Sequence, residues 1–289
     1  MSLQRIAVIT PAYNERQHVG ALVDTMVAQT LRPIRWVIVD DGSTDDTEAV
    51  AKGRTASLDW IDVCGSSSTN HRSFASKAEA VNRGVRRLAM LDFDLLACID
   101  ADVCLPPDYL TEIADRFAAD PNLGVAGGTY QHPVAHRITV DRPPAHHVPG
   151  PAQVFRREAF EQIGGYWPLR HGGIDTAANV AARMRGWETR SFPDLRFDHR
   201  RRMGTGGRGP IAAEYHKGLQ DRDLGVLPVW AVLRSLRRLA TPPYLVGGLA
   251  RLAAFVIATA RNRPRSVGPE FVKHLRTEQR RRLLAAFHK

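Results

Sequence analysis

Aspartates recur in pairs along this chain, each pair at the end of an apolar run, and that placement suggests cation and nucleotide chemistry. Asp100-Ala101-Asp102 follows the run Leu95 to Ile99 and precedes Val103-Cys104-Leu105-Pro106-Pro107. Two carboxylates one residue apart at a strand end can hold a hard divalent cation, Mg²⁺ or Mn²⁺, which prefers carboxylate and phosphate oxygens. Such a cation neutralises the leaving charge of a nucleotide diphosphate. The same pair could instead cap the helix that follows. Asp40-Asp41-Gly42-Ser43 ends another run; a carboxylate there can accept a base N–H or a ribose hydroxyl, and Gly42 permits a tight turn. Thr10-Pro11-Ala12-Tyr13-Asn14-Glu15 ends a third, where the Tyr13 ring could stack on a nucleobase. The simpler readings are a turn for Asp40 and Asp41 and a half-buried ring for Tyr13.

The elements that must carry these residues follow from periodicity. Arg5 to Thr10 reads as a buried strand ended by Pro11. From Glu15 to Leu31 the apolar residues Val19, Leu22, Val23, Met26 and Val27 mark one face of a helix. Trp36 to Val39 is a second buried strand, completing a β-α-β unit. Ser43 to Val50 opens with Ser and Thr and carries Asp45, Asp46 and Glu48 early, the chemistry of a helix start. Lys77 to Leu91 is amphipathic, and Leu95 to Ile99 is a strand delivering Asp100 and Asp102 at its carboxyl end. Strands alternating with helices predict an α/β fold, a Rossmann-like and mostly parallel sheet with helices on both faces. In such sheets ligands bind outside the carboxyl ends of the strands, where all three clusters lie.

Charge divides the chain. Residues 1–200 hold 22 Lys and Arg against 25 Asp and Glu, whereas 201–289 hold 18 against 5, so a slightly acidic body precedes a tail of net +13. The alternation stops near residue 205, which predicts a catalytic domain over 1–205 and a basic, amphipathic helical region over 206–289. Cys64, Cys98 and Cys104 lack Cys-x-x-Cys spacing and read as buried thiols of a reducing compartment rather than a zinc site. No signal-peptide pattern opens the chain, so a cytoplasmic protein is expected. The proline-rich stretch 131–151, with His132, His136, His146 and His147, reads as a mobile loop rather than a metal site.

Together VITPAYNE, VDDGSTDDT and IDADVCLPPDYL resemble glycosyltransferase family 2, of GT-A fold. Three motifs stand in family order, and Asn70 to Gly84, with Arg72, Lys77, Asn82 and Gly84, is similar to the segment before the family's metal motif. The resemblance covers about residues 5 to 200 and, more loosely, the tail, which is similar to bacterial members that build surface polysaccharides. It implies an inverting, metal-dependent transfer of a sugar from a nucleotide diphosphate sugar. By it, Thr10, Pro11, Tyr13, Glu15, Asp40 and Asp41 would line the base and ribose, and Arg72 and Lys77 would approach them or the phosphates. Asp100 and its neighbour Ala101 would border the ribose, and Asp102 would hold the metal. Asp175, followed at family-like distance by Gly186-Trp187, matches the general base; it could also serve as a helix N-cap. Ile174 stands where relatives have Glu. His199 matches a third metal ligand found in some relatives, and the basic, glycine-rich stretch Arg200 to Arg208 could close on the diphosphate.

Chemistry supports a single base: an acceptor hydroxyl that attacks the anomeric carbon must shed a proton, and one carboxylate suffices for displacement with inversion. Other classes fit less well. A haloacid dehalogenase-type phosphatase would place its Asp-x-Asp near the N-terminus, and a sugar nucleotidyltransferase would have a glycine-rich first loop. A nucleic-acid binder rests on the basic tail alone, without a recognition motif, so no nucleic-acid partner is expected. The tail instead predicts a peripheral site at the inner face of the cytoplasmic membrane. Tyr244 to Ala260 is apolar but interrupted by Arg251, and Arg234, Arg237, Arg238, Arg261, Arg263 and Arg265 would meet anionic lipid, presenting a lipid-linked acceptor. Alternatively, Trp230, Leu233, Leu236, Leu245, Leu249, Leu252 and Phe255 pack on the catalytic domain.

Overall fold

The apolar runs become strands and the periodic stretches become helices in the order the sequence implies. This computed structural model describes residues 5–65, 74–134, 137–140, 143–200 and 209–287. Strands and helices alternate from β1 (Ile6–Ala12), α1 (Val19–Val27), β2 (Arg35–Asp40) and α2 (Thr47–Thr55) through β3 (Ile61–Gly65) and α3 (Phe74–Arg87) to β4 (Leu95–Ile99). Then come β5 (Val103–Cys104), α4 (Tyr109–Ala119), β6 (Leu123–Val134), β7 (Arg137–Val140), β8 (Ala152–Arg156), α5 (Arg157–Gln162), α6 (Ile174–Met184) and β9 (Glu188–His199).

These strands form a sheet in the order β3-β2-β1-β4-β8-β6-β9-β5, with β7 paired to β6. The half that carries the aspartate pairs is parallel. β1 lies between β2 and β4, with Ala12 opposite Asp40 and Ile9 opposite Cys98, so three carboxyl ends open on one edge. Beyond β4 the sheet is mixed: β8 runs antiparallel to β4 and β6, β6 runs parallel to β9, and β5 runs antiparallel to β9. Strands buried on both faces read as continuous apolar runs, which is why β1, β2 and β4 are legible and the partly polar β9 is not.

Ile6, Val8, Leu22, Met26, Trp36 and Phe117 lie in the core. On α1, Val19, Leu22, Val23 and Met26 are buried as the periodicity requires, but Val27 is 49% exposed. At 3.6 residues per turn Val27 lies about 80° around the helix from Val19, at the rim of the buried stripe. Helix α3 lies tight on the sheet at Gly84, where a Cβ would stand 2.8 Å from Ile9 Cγ2 and 3.1 Å from Val39 Cγ2. The stretch read as a mobile loop is structured where it is described. Gln131 to Val134 pair with 137–140 as a hairpin, and Val148 is fully buried; His136 falls outside the described residues.

The chain divides into two compact units, Met1–Pro168 with Ile174–Arg202, and Leu169–Gly173 with Met203–Lys289. The second unit contains α7 (Pro210–Asp223), α8 (Pro228–Leu239), α9 (Val246–Ala260) and α10 (Pro269–Phe287). Close helix packing here uses glycine: a Cβ on Gly218 would stand 2.1 Å from the Arg251 carbonyl, and one on Gly248 2.5 Å from the Ser235 carbonyl. Two buried acids tie three helices together. Asp221 of α7 accepts from Arg234 of α8 at 2.6 Å and from Arg251 of α9 at 2.7 Å, and Glu214 lies 2.9 Å from Arg238. No described helix is long and apolar enough to cross a membrane.

Candidate active site

The site assembles at the carboxyl edge of the parallel strands, where each loop is held by the next. Asn14, at φ +54°, donates its backbone N–H to Ser43 Oγ at 2.9 Å and accepts from the Thr44 N–H at 2.8 Å. The Glu15 N–H donates to Thr47 Oγ1 at 2.7 Å. The loops after β1 and β2 therefore form one wall, with Pro11 and Tyr13 half-buried on it and Glu15 buried. Asp40 turns inward, accepting from the Ser43 N–H at 3.0 Å and from the Ser43 hydroxyl, so it shapes the turn. Asp41 is paired with Arg83 at 2.8 Å. Thr10 is fully buried and its hydroxyl accepts from the Trp36 indole at 3.0 Å, which places its side chain beneath the wall, supporting it rather than facing a ligand.

At the end of β4 the carboxylate pair splits its tasks. Asp100 accepts from Lys77 Nζ at 2.8 Å, and its backbone N–H donates to the Pro151 carbonyl at 2.8 Å. Asp102 is 6% exposed, and its Oδ1 lies 3.4 Å from His199 Nε2. Strand pairing creates that proximity, because β5 sets Val103 opposite His199 and the Arg200 N–H donates to the Asp102 carbonyl at 2.9 Å. Asp100, Asp102 and His199 each offer a ligand atom, all within 4.8 Å of one another. Two carboxylate oxygens and an imidazole nitrogen at that spacing suit a hard or borderline divalent cation. Ala101, between them, is buried.

Asp175 reaches the same edge from α6. Its carbonyl accepts from Asn179 Nδ2 at 2.9 Å, and Asn179 also donates to the Val148 carbonyl at 2.9 Å. A Cβ on Gly150 would meet the Asp175 Cβ at 3.2 Å, so glycine allows the loop before β8 to close on it. His147 on that loop brings Nε2 to 3.9 Å from Asp175 Oδ2. Ile174, the residue before Asp175, is buried.

Charge in the cluster is unbalanced toward the negative. Burial pushes the Asp100 carboxyl above its ordinary range, Lys77 pulls it down, and Asp102 pushes it up again. For Lys77 burial works to lower the pKa, but Asp100, Asp175 and Asp102 outweigh it and raise it. The carboxylates around Lys77 outweigh its burial, and a bound cation would offset their negative charge.

Arg83 and His147 are absent from the sequence-derived site. Arg83 sits one residue before the packing Gly84, at a position that reads as a solvated helix face, and His147 lies in a proline-rich stretch without periodicity. Arg72 and the basic stretch 201–208 fall outside the described residues. Arg200 is described, and its Nε lies 3.3 Å from Cys104 Sγ. Cys98 and Cys104 are buried free thiols, and Cys64 is only partly buried.

A family model described as glycosyl transferase family 2 matches residues 7–143. Residues 7–143, just under half of the chain, are thus similar to glycosyltransferase family 2. Over 126 residues the chain is 25% identical to a poly-beta-1,6-N-acetyl-D-glucosamine synthase of Staphylococcus aureus, covering 44% of this chain and 28% of that one. Over 122 residues it is 32% identical to an N-acetylglucosaminyltransferase of Azorhizobium caulinodans, covering 42% and 29%. The chain thus spans less than a third of the length of these relatives. Among solved structures, a mannosyltransferase from Pyrobaculum calidifontis in complex with GDP-Man and Mn²⁺ aligns with a TM-score of 0.57 at 20% identity, over 89% of this chain and 74% of that one. S. aureus TarS 1-349 in complex with UDP-GlcNAc aligns at 0.56 and 15%, over 87% and 71%. These likenesses show the GT-A fold. The phosphatase alternative finds no support in them.

Proposed function

We propose that this protein transfers a sugar from a nucleotide diphosphate sugar to an acceptor hydroxyl by a single displacement with inversion, in the synthesis of a polysaccharide or glycolipid. The observation that carries the reading is the convergence of Asp100, Asp102, His199, Lys77 and Asp175 on one edge of a domain similar to family 2. Asp102 and His199 would hold a divalent cation, with Asp100 and Ala101 bordering the ribose. When bound, that cation supplies positive charge to the departing diphosphate. Lys77 adds a second positive charge beside it. Pro11, Tyr13, Glu15, Asp40, Asp41 and Arg72 would form or support the nucleoside end, with Thr10 beneath them. Asp175 takes the proton of the acceptor hydroxyl as its oxygen bonds to the anomeric carbon and the bond to the diphosphate breaks.

The complexes of the neighbours with GDP-Man and UDP-GlcNAc supply the donors to try first. Melting temperature measured with UDP-GlcNAc, GDP-mannose and other sugar nucleotides, with Mn²⁺ or Mg²⁺ and with EDTA, tests the reading, because specific binding to the folded state raises apparent stability. A cation-dependent rise with one base is expected, followed by cation-dependent release of that nucleoside diphosphate and an inverted anomeric product. Indifference to every sugar nucleotide would sink the proposal.

The acceptor is proposed to be lipid-linked and met at an anionic membrane surface. Supporting this, α8, α9 and the residue before α9 expose Leu233, Leu236, Leu249 and Leu245, each 41–62% exposed, rather than packing them inward. The basic complement is smaller than the sequence suggests, since Arg234 and Arg238 are committed to Asp221 and Glu214. Flotation with anionic but not neutral vesicles, reversed by salt, is the expected result; equal flotation with both would refute the electrostatic part.

A further inference from the structure

The second unit holds a charge that nothing above uses. Arg222, in the last turn of α7, is 6% exposed, and its Nε and Nη1 are buried without a hydrogen-bond partner among the described residues. Its sequence neighbour Asp223 offsets that charge only in part, since one carboxylate oxygen accepts from the Ser266 N–H at 2.6 Å and the other from the Ser266 hydroxyl at 2.8 Å. Those bonds instead pin the segment 262–267 beside Arg222. Between them lies a cavity of about 340 Å³, lined by Arg222, Asn262, Arg263, Arg265, Val267 and Val272 among others. Arg276 stands close by, held by donation of its Nε to the Gly225 carbonyl at 2.9 Å.

Three guanidinium groups on one cavity, the innermost of them desolvated, form an arrangement that repels itself. Burial lowers the pKa of Arg222, the charges of Arg265 and Arg276 lower it further, and the charge of Asp223 opposes them without prevailing. Arg276 is lowered by burial and then by Arg265 and Arg280. Burying a charge with too little counter-charge is unfavourable, and a bound anion would offset what Asp223 leaves uncompensated. Among the described residues, no acidic side chain lines this cavity.

We propose that the cavity beside Arg222 is a binding site for a phosphate group, with Arg222 at its floor and Arg263 and Arg265 at its mouth. Guanidinium forks match the oxygens of phosphate two at a time, and a dianion with several acceptor oxygens can engage more than one fork, which a single carboxylate cannot do as fully. The volume exceeds that of the phosphate alone and falls in the range of small-ligand sites, so the phosphate would carry a further group. That phosphate can come from a soluble phosphorylated compound or from the headgroup of a lipid.

The full chain, kept in EDTA so that cation-dependent nucleotide binding does not contribute, is titrated with inorganic phosphate, and its melting temperature is compared with chloride at matched ionic strength. A saturable rise specific to phosphate is expected. Arg265→Ser, a change at an exposed position, should raise the half-saturating concentration at least tenfold, and Arg222→Met should remove the rise. If Arg222→Met does not fold, Arg265→Ser decides. Phosphate acting no better than chloride, or equally on wild type and Arg265→Ser, overturns the proposal. Flotation with phosphatidate vesicles separates the sources. Binding that inorganic phosphate competes away and that Arg265→Ser loses assigns a lipid headgroup; flotation unaffected by that variant, with the phosphate-induced rise still weakened in it, assigns a soluble phosphate.

Discussion

Replacing Gly84 by alanine tests whether the packing of α3 on the sheet sets the position of the cation-side lysine. A Cβ there would stand 2.8 and 2.9 Å from Ile9 Cγ2 and Cδ1, closer than real Cβ contacts come, and 3.1 Å from Val39 Cγ2. Both neighbours sit on β1 and β2 in the core and cannot swing away as the end of a surface side chain could. Overpacking of this kind costs about 1–3 kcal/mol, while alanine in a helix interior is favoured over glycine by about 0.8–1.0 kcal/mol. The two oppose, leaving a net loss of up to about 2 kcal/mol. Gly53 on α2 is the control, since a Cβ there meets nothing within 4 Å and Gly53→Ala should gain by propensity alone. Thermal unfolding reads both: about 2–4 °C per kcal/mol for a domain of this size, upward for Gly53→Ala and downward for Gly84→Ala. The clash also pushes α3 outward, carrying Lys77 from Asp100 and Arg83 from Asp41, so sugar-nucleotide affinity should fall in Gly84→Ala and stay unchanged in Gly53→Ala. A Gly84→Ala protein as stabilised as Gly53→Ala, with donor affinity intact, would refute the reasoning.

Three further outcomes are expected. Asp102→Asn removes a buried carboxylate from the proposed cation set and should abolish transfer, as should EDTA; turnover that persists in EDTA would contradict the cation's role. Asp175→Asn should leave donor binding intact and slow the chemical step by about 10² or more, the scale of a lost general base, measured as single-turnover release of nucleoside diphosphate. Burial alone would raise the Glu214 carboxyl, but the hydrogen bond from Lys217 and the charges of Arg238 and Arg251 hold it below the usual range. Its contribution to stability is therefore full above the unfolded value of about 4.3 and is lost as pH falls through the lower folded value. Melting of wild type and Glu214→Gln should differ at pH 7 and converge in acid, and a constant difference would argue against this account.

The sequence by itself determined the parallel half of the sheet and the residues at its open edge. Continuous apolar runs can only be strands buried on both faces, and the polar residues that end them have nowhere to go but the carboxyl edge, so Asp40, Asp41, Asp100 and Asp102 were legible from spacing. Helix α1 was legible for the same reason of period, although its ends, Val19 and Val27, fall inside the periodic stretch Glu15 to Leu31. The resemblance carried Asp175 and His199, which spacing alone would not have chosen. What only the tertiary structure decided is which of these groups meet. His199 touches Asp102 because β5, two residues long, pairs with the end of β9, a contact between strands nearly a hundred residues apart that leaves no periodic trace. His147 reaches Asp175 because Asn179 and Gly150 fold a proline-rich loop onto α6, and Arg83 reaches Asp41 because Gly84 seats α3 on the sheet. Burial also reassigned side chains that spacing treats alike: Thr10 supports Trp36, and Arg234 and Arg238 neutralise acids. Charge and period are local and survive in one dimension; partnership between side chains depends on chain segments that only folding brings together.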